Sequence, residues 1–377
     1  MSVAGAKVTE TFETLSGLWG KCLFLCVQGQ RPQNSSSPNS KSAPTLSLPP
    51  RTTSIIPVRV FDVTNAVETI SYEICGLNYI ASLLQRNPNL KLAALNFSLG
   101  ASLPITPQEM LQDVYWMAYQ ALDSLNRTLI VAAAGNDSLE NGVPVPFDDP
   151  AGENFKKGTY TYPAAFIGLK NFITVGAVAS DYTAASFTNW GGSVDIAAPG
   201  VDILSTYSPI TRGESPHMYA AIDGTSMAAP HVTGAAALLV SAFPNAAPAQ
   251  IKAALLDGAN TDKNPVVYPY AYIVKRRVAR LTRLLDEQIS LGTFPAASRD
   301  SEIERVTREA EERYAPYKAL DGTGRVSRTG LLDVKAAYDL LAQRVNANGM
   351  GSSSGGCNSG VLGAILGAVL LAKVRKV

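Results

Sequence analysis

The run Gly224-Thr225-Ser226-Met227-Ala228-Ala229-Pro230-His231-Val232-Thr233-Gly234 constrains this chain more than any other stretch. It sets a serine at the mouth of a glycine-bearing turn that leads straight into an apolar helix. A helix N-terminus offers unpaired backbone N–H groups and the positive end of the helix dipole. Negative charge that develops on an atom bonded by such a serine is therefore stabilised where it forms. Pro230 reads as part of the first helical turn, where a missing N–H costs little.

The segments around this run alternate between strand and helix. Ile55 to Phe61 is a buried-strand pattern, and Glu68 to Gln85 carries Ile70, Ile74, Leu77, Ile80, Ala81 and Leu84 at helical spacing. Leu92 to Leu99, Gln108 to Leu125 and Leu129 to Ala134 repeat the alternation, the signature of βαβ crossovers on a parallel sheet. Further strands are expected at Phe172 to Val178 and Val194 to Ala197, with helices at Ser226 to Phe243 and Ala247 to Leu256. The fold class is α/β, a mostly parallel sheet flanked by helices.

With 377 residues, 46% hydrophobic and 17% charged, the chain can bury one sizeable core and has material left at both ends. Residues 28 to 53 are rich in Ser, Pro and Asn, so residues 1–53 read as a disordered or misread leader. The core follows at 54–264. A charge-dense helical insertion spans 265–322, where opposite charges three and four residues apart suit solvated helices. A C-terminal helix of the core is expected within 323–345, and 346–377 is a glycine-rich linker followed by an apolar segment.

A net charge of +1 nominates neither nucleic acid nor an anionic surface as a partner. The four cysteines lack the companions of a disulfide framework or a zinc site, and Cys75 reads as a small core residue. Lys7, Glu10 and Glu13 interrupt the N-terminal region, and Cys22 to Val27 is too short for the apolar region of a secretory signal. At the other end, Gly355-Gly356-Cys357 precedes the apolar Val361 to Ala372 and then Lys373, Arg375 and Lys376. That order resembles bacterial C-terminal sorting signals and implies membrane or cell-surface attachment with the main domain outside. The plainer alternative is a frayed glycine-rich tail with an apolar end.

Other motifs stand in order along the chain. They are Pro57-Val58-Arg59-Val60, Asn96-Phe97-Ser98-Leu99-Gly100, Ala132-Ala133-Ala134-Gly135-Asn136, Tyr162-Pro163-Ala164, Ile173 to Ala177 and Asp195 to Gly200. Together with the run at Ser226, from Ile55 to Asp257 and again at Gly330 to Leu341, they resemble the subtilisin-like serine peptidases (subtilases, peptidase family S8). The resemblance implies a three-layer domain acting on an extended peptide or protein substrate, with Ser226 as nucleophile. Asn136 and the Ser226 backbone N–H would donate to the oxyanion. Ser98, Leu99 and Gly100 would pair main chain to main chain with the peptide, and Ala133, Ala134 and Gly135 would line the pocket for the residue before the scissile bond. Loss of one such oxyanion donor costs about 10²–10³ in rate, a figure measured on subtilisin itself. Standing alone, Ser98 to Gly100 reads as an ordinary strand end and Asn136 as a turn residue. Tyr162-Pro163 matches a family segment that often holds a cis proline. Calcium is allowed by the resemblance, but no dense oxygen cluster presents itself and no residue is assigned to a metal.

One part of the family pattern is absent. A serine hydroxyl attacks poorly unless a base takes its proton, and the family places its Asp and His before the strand resembling Pro57 to Val60. Residues 1 to 61 contain neither, and Asp62, the first aspartate, ends the wrong strand. The chain has two histidines. His231, five residues after Ser226, points about 140° away on an ideal helix and reads as a packing residue. His217 lies in a loop with nothing to orient it. The expectation is a truncated or frame-disrupted subtilase, incomplete at its N-terminal part and inactive as an isolated chain, whose sheet loses a neighbour and exposes apolar surface. The alternative is a pseudopeptidase that binds peptides or proteins without hydrolysis; a third reading, a structural surface protein, has only composition behind it.

Overall fold

The computed structural model describes residues 22–28, 53–60, 70–141, 160–206, 219–315, 318 and 321–349. Among them the chain runs β1 (Cys22–Gln28), β2 (Thr53–Arg59), α1 (Ile70–Arg86), β3 (Leu92–Phe97), β4 (Ala101–Leu103), α2 (Pro107–Met110), α3 (Val114–Ser124) and β5 (Leu129–Ala133). It continues through β6 (Tyr160–Tyr162), β7 (Phe172–Val178), β8 (Ile196–Pro199), β9 (Ile203–Thr206), β10 (Tyr219–Ile222) and α4 (Thr225–Ala242). The last helices are α5 (Pro248–Asp257), α6 (Pro269–Ser290), α7 (Arg299–Tyr314) and α8 (Val334–Gly349).

β3, β5 and β7 are buried along their whole lengths, as near-continuous apolar runs must be when both faces of a sheet are covered. Alternate residues serve opposite layers. Ala94, Leu129, Val131, Ile173 and Val175 pack with α4, α5 and α8 on one side, whereas Leu95, Phe97, Ile130, Ala132 and Phe172 pack with α1 and α3 on the other. The result is the expected α/β arrangement of three layers, a mostly parallel sheet between helices. Its strand order is β2-β1-β3-β5-β7-β8. β3, β5, β7 and β8 are parallel neighbours.

The leader and the sheet edge differ from expectation. Cys22–Gln28 belongs to the main sheet, where it pairs antiparallel with both β2 and β3. The place beside β3 is therefore filled, and the expected loss of a neighbour does not occur. Its six consecutive apolar residues are what a central strand position selects. Apart from Thr53, which opens β2, the other residues of the leader lie outside the described residues, as does the C-terminal segment from 350 onward, together with the expectations placed on them. Among the described residues no helix is long and apolar enough to cross a membrane.

Two local expectations also change. The helix expected over Gln108 to Leu125 is broken, because Thr106 and Glu109 form a reciprocal capping box on α2 and Asp113 starts a second helix by accepting from the Tyr115 N–H at 2.8 Å. Cys75 is exposed rather than in the core. The buried stripe of α1 is Glu73, Gly76, Leu77, Ile80 and Leu84, which turns residue 75 outward. Glu73 is fully buried; Tyr115 Oη lies 3.0 and 2.9 Å from its two carboxylate oxygens, and Tyr119 Oη also bonds to it. Burial, and then the Glu73 charge, hold the Tyr119 hydroxyl well above its usual pKa. In the charged stretch, α6 and α7 pack on each other, with Arg299 on Asp286 at 2.6 Å and Arg305 paired to Glu302 and Glu309.

Candidate active site

The carboxyl ends of β3 and β5 and the first turn of α4 meet at one edge of the sheet, the edge at which parallel α/β folds place their ligands. α4 begins at Thr225, behind Gly224, which has no side chain with which to cap the helix. Ser226 is thus its second residue and is half-buried. Ser98, Leu99 and Gly100 lie between β3 and β4, and Ala133, Ala134, Gly135 and Asn136 end β5 and follow it. The fold brings these residues together.

Pro230 stands inside α4, beyond its first turn. Its missing N–H is the one the Ser226 carbonyl would otherwise accept from four residues on. Ser98 supplies the substitute, its Oγ donating to the Ser226 carbonyl at 2.7 Å. Asn96, buried in β3, donates from Nδ2 to Ser98 Oγ at 2.9 Å, and its Oδ1 lies 3.2 Å from Thr233 Oγ1 on α4. The Ser226 hydroxyl points back to the Ser98 carbonyl at 3.4 Å, a long contact. The serine is therefore tied to the strand end beside it by both hydroxyls.

Asn136 is exposed, with its Oδ1 accepting from both the backbone N–H and the hydroxyl of Thr225 at 2.9 Å. Its Nδ2 lies 3.8 Å from where a Cβ on Gly224 would stand. The Thr225 hydroxyl also accepts from the Gly135 N–H at 3.2 Å. Gly135 has φ +106°, and a Cβ there would fall 2.3 Å from Asn189 Nδ2, so both conformation and space require glycine. At Gly100 a Cβ would come within 2.8 Å of the Tyr162 carbonyl. The neighbouring β4 is already paired to β6, and the Tyr162-Pro163 peptide is cis.

His231 is turned away from Ser226: its Nδ1 lies 2.9 Å from the Met227 carbonyl one turn back along α4. Burial lowers its pKa below the usual imidazole value. His217 lies outside the described residues. The hydrogen bonds of the Ser226 hydroxyl among the described residues lead to a carbonyl and not to a base. No three His, Cys, Asp or Glu side chains gather to hold a metal ion among the described residues, so those residues offer no acidic cluster to the calcium that the resemblance allows.

Residues 53–281 match the model of the Subtilase family, Peptidase S8. The chain belongs to that family, one of serine-type peptidases. Among its relatives are Subtilisin DY of Bacillus licheniformis, 30% identical over 188 residues, covering 48% of this chain and 64% of that protein, and Subtilisin Savinase of Lederbergia lenta, 34% identical over 186 residues, covering 48% and 64%. The Extracellular serine proteinase of Thermus sp. (strain Rt41A) is 32% identical over 201 residues, covering 53% of this chain and 39% of that protein. A solved cold adapted subtilisin-like serine proteinase is 28% identical, covering 54% of this chain and 60% of that one, with a TM-score of 0.40. The chain spans less than two thirds of the length of each of these relatives.

Sequence reasoning missed Thr225, Asn96 and Thr233. Thr225 had a signal in standing next to the serine and before a helix. Asn96 and Thr233 are ordinary polar residues of a strand and a helix until the fold faces them.

Proposed function

We propose that Ser226 is the nucleophile of a serine endopeptidase site and Asn136 its oxyanion donor, and that this chain alone does not turn over its substrate. The observation that carries the reading is the convergence on one helix N-terminus. Ser226 stands in the first turn of α4, and the Thr225 beside it holds the Oδ1 of Asn136, which turns the amide nitrogen of Asn136 to the other side. Attack by Ser226 Oγ on a peptide carbonyl would place the oxyanion near that nitrogen and the N–H groups at the head of α4. An extended peptide or protein substrate would run along Ser98, Leu99 and Gly100, with one side chain against Ala133, Ala134 and Gly135. The proton of the attacking hydroxyl needs an acceptor, and His231 is engaged one turn away and faces elsewhere. An extracellular setting is the one named for the Thermus relative, and we extend it to this chain.

A fluorophosphonate probe tests the reading. The purified chain is expected to show no labelling above its Ser226→Ala variant, while peptides still bind. Rapid labelling that depends on Ser226 would show that a base reaches the hydroxyl and would overturn the claim of inactivity. A second reading, a non-catalytic peptide-binding module, is favoured by the engagement of the Ser226 hydroxyl with the Ser98 carbonyl. It requires peptide affinity to be the same in wild type and Ser226→Ala, and a boronic acid to gain nothing from Ser226.

A further inference from the structure

Asn136 follows β5 on an exposed turn, a poor place to keep a donor aimed unless something holds the backbone around it. That something lies behind the turn. Asn189 is 1% exposed and comes from the segment between β7 and β8. Its Nδ2 donates to the Ala134 carbonyl at 3.0 Å, and its own backbone N–H donates to the Gly135 carbonyl at 2.9 Å. Its Oδ1 accepts from the N–H groups of Asp137 at 3.0 Å and Leu139 at 3.2 Å. The four bonds bracket residue 136 on both sides. Gly135 completes the fit, since any side chain there would strike the Asn189 amide. The neighbours of Asn189 reinforce the strap: Ser138 N–H donates to the Phe187 carbonyl at 2.9 Å and Trp190 N–H to the Leu139 carbonyl at 3.0 Å.

We infer that Asn189 is a positioning residue for Asn136, fixing the turn from residue 134 to residue 139 so that the Asn136 amide meets Thr225 on one side and the head of α4 on the other. The inference rests on the proposed peptidase reading for the purpose of the turn, but the strap itself is independent of it. The geometry calls for the amide of asparagine: one end must donate to a carbonyl and the other must accept from two N–H groups. No apolar residue of the same size does either.

The test uses the full chain, wild type and Asn189→Leu, which keeps the volume and removes the side-chain bonds. In wild type the Asp137 and Leu139 amides are expected to exchange slowly with solvent, and the side-chain amide of Asn136, assigned by its loss in Asn136→Ala, to give one sharp NMR pair. In Asn189→Leu both amides should exchange at least about tenfold faster, the loss of one hydrogen bond. The Asn136 pair should broaden or shift, a signature that a general loss of stability would not produce selectively. Binding of phenylethaneboronic acid, followed as a tetrahedral boron signal dependent on Ser226, should weaken about tenfold as the donor loses its aim. Free exchange of the two amides in wild type would overturn the inference even if the variant does not fold, and so would an unchanged Asn136 pair in a folded Asn189→Leu. If wild type forms no tetrahedral adduct, the peptidase reading fails, and the exchange and Asn136 signals still decide the role of Asn189.

Discussion

The two sides of the main sheet reach the candidate site in opposite senses. β3 and β5 run parallel and end at it, so their last residues lead directly into Ser98 and Asn136. β1 runs against its neighbours, and its pairing sets Phe24, near its start, opposite Asn96. A strand that enters a slot backwards satisfies the hydrogen-bond ladder as well as one that enters forwards. It does not deliver the same residues to the site, because the opposite end of the strand arrives there. Completing a sheet and completing a catalytic constellation are separate requirements, and of the strands only those of the parallel side lead into Ser98 and Asn136, which meet the head of α4.

The antiparallel side is most vulnerable at β1. Leu25→Pro removes an N–H from a strand paired on both sides and is expected to cost about 3 kcal/mol or more. In hydrogen exchange β2 should lose protection while β5 and β7 keep theirs; uniform loss across the sheet would mean that the two sides fold as one unit. Next comes the outer helical layer. Glu73→Ala leaves the hydroxyls of Tyr115 and Tyr119 without their shared carboxylate and opens a cavity, and a loss of about 3 kcal/mol is expected in urea denaturation.

On the parallel side the expected effects are smaller. Ser98→Ala strips the Ser226 carbonyl of the donor that replaces the missing Pro230 N–H, for about 1–2 kcal/mol. Stability unchanged from wild type would show that water substitutes there. His231 offers the mildest test. Burial holds its folded pKa below the usual 6.5, so the unfolded chain takes up the proton first. Its contribution is whole above about pH 6.5 and falls away as the pH drops below that value. Between wild type and His231→Gln the slope of stability against pH should differ in that range, by no more than about 1.4 kcal/mol per pH unit.

The central architecture was legible because β3, β5 and β7 are covered on both faces, and continuous apolar runs have few other uses. The residues gathered around Ser226 were legible as motifs, since a serine ahead of an apolar helix is a local pattern. β1 was not. Cys22 to Val27 is a short apolar run whose partners lie some 30 and 70 residues away, and a leader rich in proline and serine conceals it. The exposure of Cys75 was missed because Glu73, a residue normally assigned to the surface, occupies the buried stripe of α1 and shifts its phase. Asn189 was beyond reach for a different reason. Its four partners lie about 50 residues earlier in the chain, and nothing in Thr188-Asn189-Trp190 announces them.

The proline in α4 has a mechanical consequence. Because the Ser226 carbonyl receives its hydrogen from Ser98 and not from its own helix, the serine belongs to two elements at once. A displacement of the strand end that would grip a peptide is passed to the serine backbone without an intervening joint. Seating a ligand there and aligning the hydroxyl would thus be a single motion, and slack in one would be slack in the other.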